Sequence, residues 1–177
     1  CLKKYGVPST LCLKQNQIYG KSQKELQEWL NSLGFVFIKN DYSVLGTQEL
    51  DLHEPNLKLA IEYCGLFWHT ELSPQPRLQL YHYDKYKKCF EQGVRLITIF
   101  EDEWQDNKEI CVSRIGHALG ITDIKIFARK CVIKSVSKEE SNAFFKNNHL
   151  QSFTKNMRET FGLYYEGILV YAASVGL

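Results

Sequence analysis

The chain contains 177 residues, of which 44% are hydrophobic and 24% are charged, and its formal net charge is +2. This composition predicts a soluble globular protein with one ordinary core and a small second unit. It argues against a membrane protein, because no apolar stretch approaches the roughly 18 residues that a spanning helix requires, and the opening residues lack the apolar segment of a secretory signal.

Six cysteines are scattered along the chain, at positions 1, 12, 64, 89, 111 and 131. None of them forms a Cys-x-x-Cys pair, so the spacing indicates neither a zinc site nor a compact disulfide framework. We therefore expect reduced thiols and an intracellular, cytoplasmic location.

The start of the chain is basic. Residues 1–24 contain lysines and no acid, namely Lys3, Lys4, Lys14, Lys21 and Lys24. We expect residues 1–21 to form a basic arm that contacts the phosphates of DNA. A solvated lysine-rich tail is the alternative interpretation.

The first predicted element is a helix over residues 22–33, because its leucines and Trp29 recur at helical spacing. Ser22 and Glu25 form a capping-box pattern at its start, and Gly34 is expected to end it.

Three short strands are predicted next, over residues 35–38, 48–52 and 57–63, with a turn at 53–56 between the last two. A helix over 78–93 follows, with Leu80, Tyr83 and Phe90 facing inward. A fully buried strand over 94–100 and a helix over 107–120 complete the set. The order predicts an α/β fold in which helices flank a mixed central sheet.

The pattern restarts after Ile121, which places a domain boundary near residue 122. The predicted second unit, 122–177, is a small α+β domain of unassigned role. It has a strand, a helix capped by Ser137 and Glu140, and a hairpin that turns at Glu166 and Gly167.

Two carboxylates interrupt the hydrophobic strands of the first unit. If the 53–56 turn pairs the strands, Asp51 and Glu62 approach each other across the ladder. Two ionised carboxylates at that distance repel each other, and a hard divalent cation such as Mg²⁺ or Mn²⁺ is the simplest way to offset the repulsion. The structural alternative has Glu62 solvated or paired with Lys58.

A histidine follows soon after the second carboxylate, in the stretch "YCGLFWHTE". A neutral imidazole at His69 is suited to accept a proton from an attacking water. A packed or surface histidine is the alternative.

The order α-β-β-β-α-β, with "ELD", "AIEYCGLFWH" and "GVRLITIFEDEW", resembles the very-short-patch-repair (Vsr-like) endonucleases. It is most similar to the related EDxHD homing endonucleases and phage nucleases of the PD-(D/E)xK superfamily. The resemblance covers residues 20–120 and implies a PD-(D/E)xK-type core, Mg²⁺- or Mn²⁺-dependent hydrolysis of double-stranded DNA, and a phage-encoded protein in a bacterial host. Residues 1–15 also resemble one of the repeats that precede nuclease domains in phage homing proteins.

The resemblance assigns functions to individual residues. It implies that Glu25 is the helix acid of the superfamily, that Asp51 and Glu62 hold the metal, and that His69 assists the attacking water. Glu25 has a second explanation, as part of the capping box.

The chain departs from the superfamily at Cys64, where the motif has lysine. We expect Lys85 on the following helix to replace that charge, with His82 beside it. Phe67 and Trp68 are expected either to wedge into the DNA base stack or to pack the sheet.

These observations predict a metal-dependent DNA endonuclease. Two alternatives stay open at this point. One is a non-catalytic DNA-binding module that keeps the nuclease fold, and the other is a Cys64 nucleophile activated by His69.

Overall fold

A computed structural model describes residues 9–65, 78–122, 124–153 and 156–176, without the side chains of residues 9–19 and 78–79. The chain forms two compact units, 1–106 and 107–177. This division precedes the helix at Lys108–Leu119, whereas the sequence predicts a boundary near residue 122. None of the described helices combines the length and the apolar character needed to cross a bilayer.

The first unit is a mixed α/β structure. Its elements are α1 (Ser9–Ser32), β1 (Ile38–Asp41), β2 (Leu50–Glu54), β3 (Leu59–Cys64), α2 (Leu78–Glu91), β4 (Arg95–Phe100) and α3 (Glu101–Asp106). The strands form one sheet in the order β1-β2-β3-β4. Strands β1, β2 and β3 are antiparallel neighbours, and β4 runs parallel to β3 after the α2 crossover. The predicted order of elements is confirmed.

Helix α1 begins earlier than predicted. It starts at Ser9 and continues through Gly20, so Ser22 lies inside the helix and the predicted N-terminal capping box is wrong. One glycine in a helix costs only about 1 kcal/mol relative to alanine, which packing of the buried Leu26 and Leu30 offsets. The predicted end is confirmed, because Gly34 has a φ of 85° and its N–H donates to the Asn31 carbonyl.

The first strand is shifted relative to the prediction over 35–38. Strand β1 begins only at Ile38, and Val36 is exposed. The reason is local: the Phe35 N–H donates to the Leu30 carbonyl at 3.2 Å, so these residues complete the end of α1 instead of joining the sheet.

The β2–β3 hairpin forms, but its turn lies at 55–58 rather than 53–56. His53 and Glu54 remain in the ladder opposite Ala60 and Leu59. The Glu54 carboxylate accepts the Leu57 N–H at 2.5 Å, which stabilises the later turn.

The inward face of α2 also differs from the prediction. Leu80, Tyr83 and Phe90 are exposed, whereas Lys85 and Cys89 are buried. The reason is that β3 carries the carboxylate of Glu62, which hydrogen-bonds to Lys85, so a cation is stabilised at this inward position. Cys89 packs in a core cluster with Leu50, Ala60 and Val94.

Strand β4 is not fully buried, contrary to the prediction. Arg95 is exposed, and only Ile97 and Ile99 are buried. Because β4 is an edge strand with a single neighbour, its residues remain partly accessible to solvent.

The second unit contains α4 (Lys108–Leu119), a 3₁₀ turn (Ala128–Lys130), β5 (Val132–Ser135), α5 (Lys138–Asn148), β6 (Met157–Tyr165) and β7 (Ile168–Gly176). Its three strands form an antiparallel sheet in the order β5-β6-β7. The Ser137 hydroxyl accepts the Glu140 N–H, so the predicted cap is confirmed. The predicted turn is also confirmed, because Glu166 and Gly167 both have positive φ.

Candidate active site

The carboxylates of β2 and β3 lie across the ladder from each other. Leu52 pairs with Ile61 and His53 with Ala60, a register that puts Asp51 opposite Glu62. Both side chains are buried, with exposed fractions of 8% and 9%. Two acids therefore occupy adjacent positions in the interior of the first unit.

The Asp51 side chain is oriented by the backbone of the neighbouring strand. Its Oδ2 atom accepts the Tyr63 N–H at 2.8 Å. A backbone amide of β3 thus holds this carboxylate in position, and a hydrogen bond to an ionised acceptor is among the stronger ones in proteins.

Lys85, on α2, contacts the Glu62 carboxylate of this pair. Its Nζ atom donates to Glu62 Oε1 at 2.5 Å, although the lysine is only 1% exposed. The second oxygen, Glu62 Oε2, is buried and has no hydrogen-bond partner among the described residues. One carboxylate oxygen in this cluster is therefore available to a further cation or donor.

Burial shapes the protonation of this cluster. Burial first, and the negative charge of Asp51 second, raise the pKa of Glu62 to about 7 despite the nearby ammonium. Burial acts to lower the pKa of Lys85, but the hydrogen bond and the charge of Glu62 outweigh it, and that pKa is raised.

The raised Glu62 pKa predicts that the stability of the metal-free protein depends on pH. Because the folded pKa of about 7 exceeds the unfolded value near 4.5, this group favours folding below pH 4.5 and loses that contribution as the pH rises through 7. The loss amounts to at most about 3 kcal/mol for that interval of pKa.

Urea unfolding at a series of pH values measures this effect. Asp51→Asn removes the second cause of the raised pKa, so we expect a smaller fall in the free energy of unfolding between pH 4.5 and 7 than in the wild type. Asp84→Asn on the exposed side of α2 is the matched control and should follow the wild type. Identical curves for wild type and Asp51→Asn would contradict the assignment.

Cys64 ends β3 beside the same carboxylates. Burial first, then the charges of Glu62 and Asp51, raise the pKa of this thiol to about 12. The thiolate is the nucleophilic form of cysteine, so this environment argues against a Cys64 nucleophile.

His82 lies on α2 one turn before Lys85 and is half-buried. Burial first and the charge of Lys85 second lower its pKa, which favours the neutral imidazole. A neutral imidazole can accept a proton, which keeps His82 a candidate base.

Glu25 has a defined contact in the structure. Its Oε2 atom accepts the indole N–H of Trp104 at 3.1 Å, and Trp104 is buried. This bond joins α1 to α3 and gives Glu25 a structural function in place of the capping-box role.

Several predicted site residues lie outside the described part of the chain. They are Phe67, Trp68, His69, Lys3 and Lys4. Lys14 falls within α1 without a described side chain, and Lys21 is exposed on the same helix.

A buried aspartate–histidine pair was missed by the sequence analysis. His53 Nδ1 lies 2.5 Å from Asp41 Oδ2, and His53 Nε2 has no hydrogen-bond partner among the described residues. The His53 hydrogen bond first, then the Ser43 N–H, lower the pKa of Asp41. The predicted turn at 53–56 places His53 outside the strand pairing, and Asp41 falls in a predicted loop because the first strand is predicted to end at residue 38.

Asp51 and Glu62 suit a hard divalent cation. Their donors are carboxylate oxygens, and the unpartnered Glu62 Oε2 offers a free ligand position. Within the described residues, which do not include His69, no group of three or more His, Cys, Asp or Glu side chains is arranged to hold a metal ion.

The fold and this cluster define a mixed α/β protein with a buried Asp-Glu-Lys group at the β2–β3 hairpin. Comparison of the chain with protein-family models, with curated proteins and with solved structures finds no match.

Proposed function

We propose that the first unit is a metal-dependent DNA endonuclease with a PD-(D/E)xK-type core, similar to the Vsr-like and EDxHD homing enzymes. The observation that carries the proposal is the Lys85 ammonium, buried against Glu62 with Asp51 opposite. This supplies an Asp-Glu-Lys combination although Cys64 stands where the superfamily motif has lysine.

Stability alone does not account for this cluster. Burying an ion pair costs several kcal/mol of desolvation, and apolar replacements of similar volume are often at least as stable. Asp51 adds a second negative charge beside Glu62, which raises the cost further. A functional requirement for these charges is therefore the better explanation.

In the proposed reaction, Asp51 and Glu62 hold the divalent cation. When bound, Mg²⁺ neutralises phosphoryl charge and makes water a better nucleophile. The Tyr63 N–H keeps Asp51 oriented for this task. Lys85 stabilises the negative charge that develops on the phosphoryl oxygens. His82, or His69 from outside the described residues, accepts the proton of the attacking water.

Plasmid cleavage is the direct test of this proposal. Supercoiled plasmid is incubated with the full chain in Mg²⁺, in Mn²⁺ and in EDTA, and the nicked and linear products are separated by gel electrophoresis. We expect cleavage with either cation and none in EDTA. An intact plasmid in both cations, with protein that is folded by circular dichroism, would contradict the proposal.

A non-catalytic DNA-binding module is the second candidate. Two observations favour it. The Lys85–Glu62 hydrogen bond occupies one Glu62 oxygen and the ammonium. No group of three potential metal ligands is found among the described residues. This candidate predicts DNA binding that is unaffected by Mg²⁺ and no cleavage, so the same assay run beside a binding titration separates the two.

A further inference from the structure

The second unit contains a cavity of about 330 Å³ between the start of α5 and the start of β6. Its lining includes Lys138 in the first turn of the helix and Arg158 on the strand. Val136 joins the two sides, because its N–H donates to the Thr160 carbonyl at 2.8 Å. Cavities of this volume are large enough for a small organic ligand.

Arg158 occupies a β-bulge in β6. The register advances by two residues on β6, from Met157 to Glu159, while β7 advances by one, from Gly176 to Val175. Arg158 is thus the extra residue of the bulge. Bulges re-aim side chains and occur often beside functional sites.

The two cations of the lining are solvent-exposed and have no acidic partner among the described residues. Neither Lys138 nor Arg158 forms an ion pair with any residue in the described ranges. Glu159 also lines the cavity, so the lining carries two positive charges and one negative charge. An anionic ligand would satisfy the excess positive charge.

The lining also includes one neutral hydroxyl, that of Thr160. Thr160 Oγ1 and Ser174 Oγ lie 2.6 Å apart and share one hydrogen bond, in which either oxygen can be the donor. When Ser174 donates, the Thr160 hydrogen is left for another acceptor.

We propose that this cavity binds a phosphoryl group. A forked guanidinium, an ammonium and a hydroxyl match the several oxygens of a tetrahedral oxyanion. The volume exceeds that of one phosphate, so the cavity has room for a phosphoryl group that is part of a larger molecule, either a free phosphate monoester or a DNA backbone. The proposal does not depend on nuclease activity in the first unit.

Two titrations of the full chain test the site and identify the source of the phosphoryl group. Inorganic phosphate is titrated by ³¹P NMR against chloride at equal ionic strength. A duplex oligonucleotide is titrated in EDTA by fluorescence anisotropy over a range of salt. The variants are Arg158→Gln and Lys138→Gln, with Lys146→Gln at the far end of α5 as the matched control.

We expect Arg158→Gln to weaken phosphate binding roughly tenfold, the effect of losing one charge-assisted hydrogen bond, while Lys146→Gln leaves it unchanged. If DNA is the source, the slope of log affinity against log salt also falls by about 0.9 in Arg158→Gln. A loss of phosphate binding with unchanged DNA binding identifies a free monoester.

Unchanged binding of both probes, or equal losses in the Lys146→Gln control, would overturn the proposal. Arg158→Lys, which keeps the charge, should recover part of the binding and excludes misfolding as the cause.

Discussion

Asp51→Asn should abolish strand cleavage while DNA binding and the fold survive. The substitution removes the charge of one proposed metal ligand but keeps the shape, and the amide oxygen can still accept the Tyr63 N–H. It also relieves the repulsion that raises the pKa of Glu62, so the metal-free protein should be as stable as the wild type or more stable.

Thermal melts with and without Mg²⁺, run beside the plasmid assay, measure both effects. Mg²⁺ should raise the melting temperature of the wild type and raise that of Asp51→Asn less, because a ligand stabilises only the state that binds it. Asp84→Asn is the control and should keep both responses. Undiminished cleavage by Asp51→Asn would end the metal-site interpretation.

Lys85→Met should slow cleavage by roughly a hundredfold or more, because it removes the buried positive charge that is proposed to stabilise the transition state. The structure adds a stability effect, since Lys85 is the hydrogen-bonded cation of Glu62. Without it the pKa of Glu62 rises further. The variant should therefore be nearly as stable as the wild type at pH 6, where Glu62 is largely protonated, and less stable at pH 8.

Single-turnover cleavage and urea unfolding at both pH values separate the two consequences. Lys87→Met, an exposed neighbour on α2, is the control for loss of a lysine. The double variant Lys85→Met with Glu62→Gln should recover stability at pH 8 without recovering cleavage, because it removes the uncompensated buried charge. Full activity in Lys85→Met would move the charge-stabilising role to His82 or His69.

Local signals in the sequence were sufficient for much of the architecture. The order of elements, the β2–β3 hairpin and the helix end at Gly34 follow from hydrophobic period and backbone conformation over a few residues. The Ser137 cap and the turn at Glu166 depend on neighbouring residues alone, and both were predicted. Hydrophobic pattern placed Asp51 and Glu62 on the two strands of one hairpin, but their direct opposition depends on the later turn at 55–58, because a turn at 53–56 would put Asp51 opposite Lys58.

Tertiary structure decided the features that depend on contacts between distant segments. Hydrophobic pattern favoured Leu80, Tyr83 and Phe90 as the inward face of α2, but the carboxylate of Glu62 requires a cation there and Lys85 is buried instead. The Asp41–His53 pair joins β1 to β2, so it exists only once the strands are aligned. The Arg158 bulge likewise arises from the register between β6 and β7. For Lys85 and for the Asp41–His53 pair, the free energy of a charge depends on which partner lies opposite, and spacing along the chain does not specify that partner.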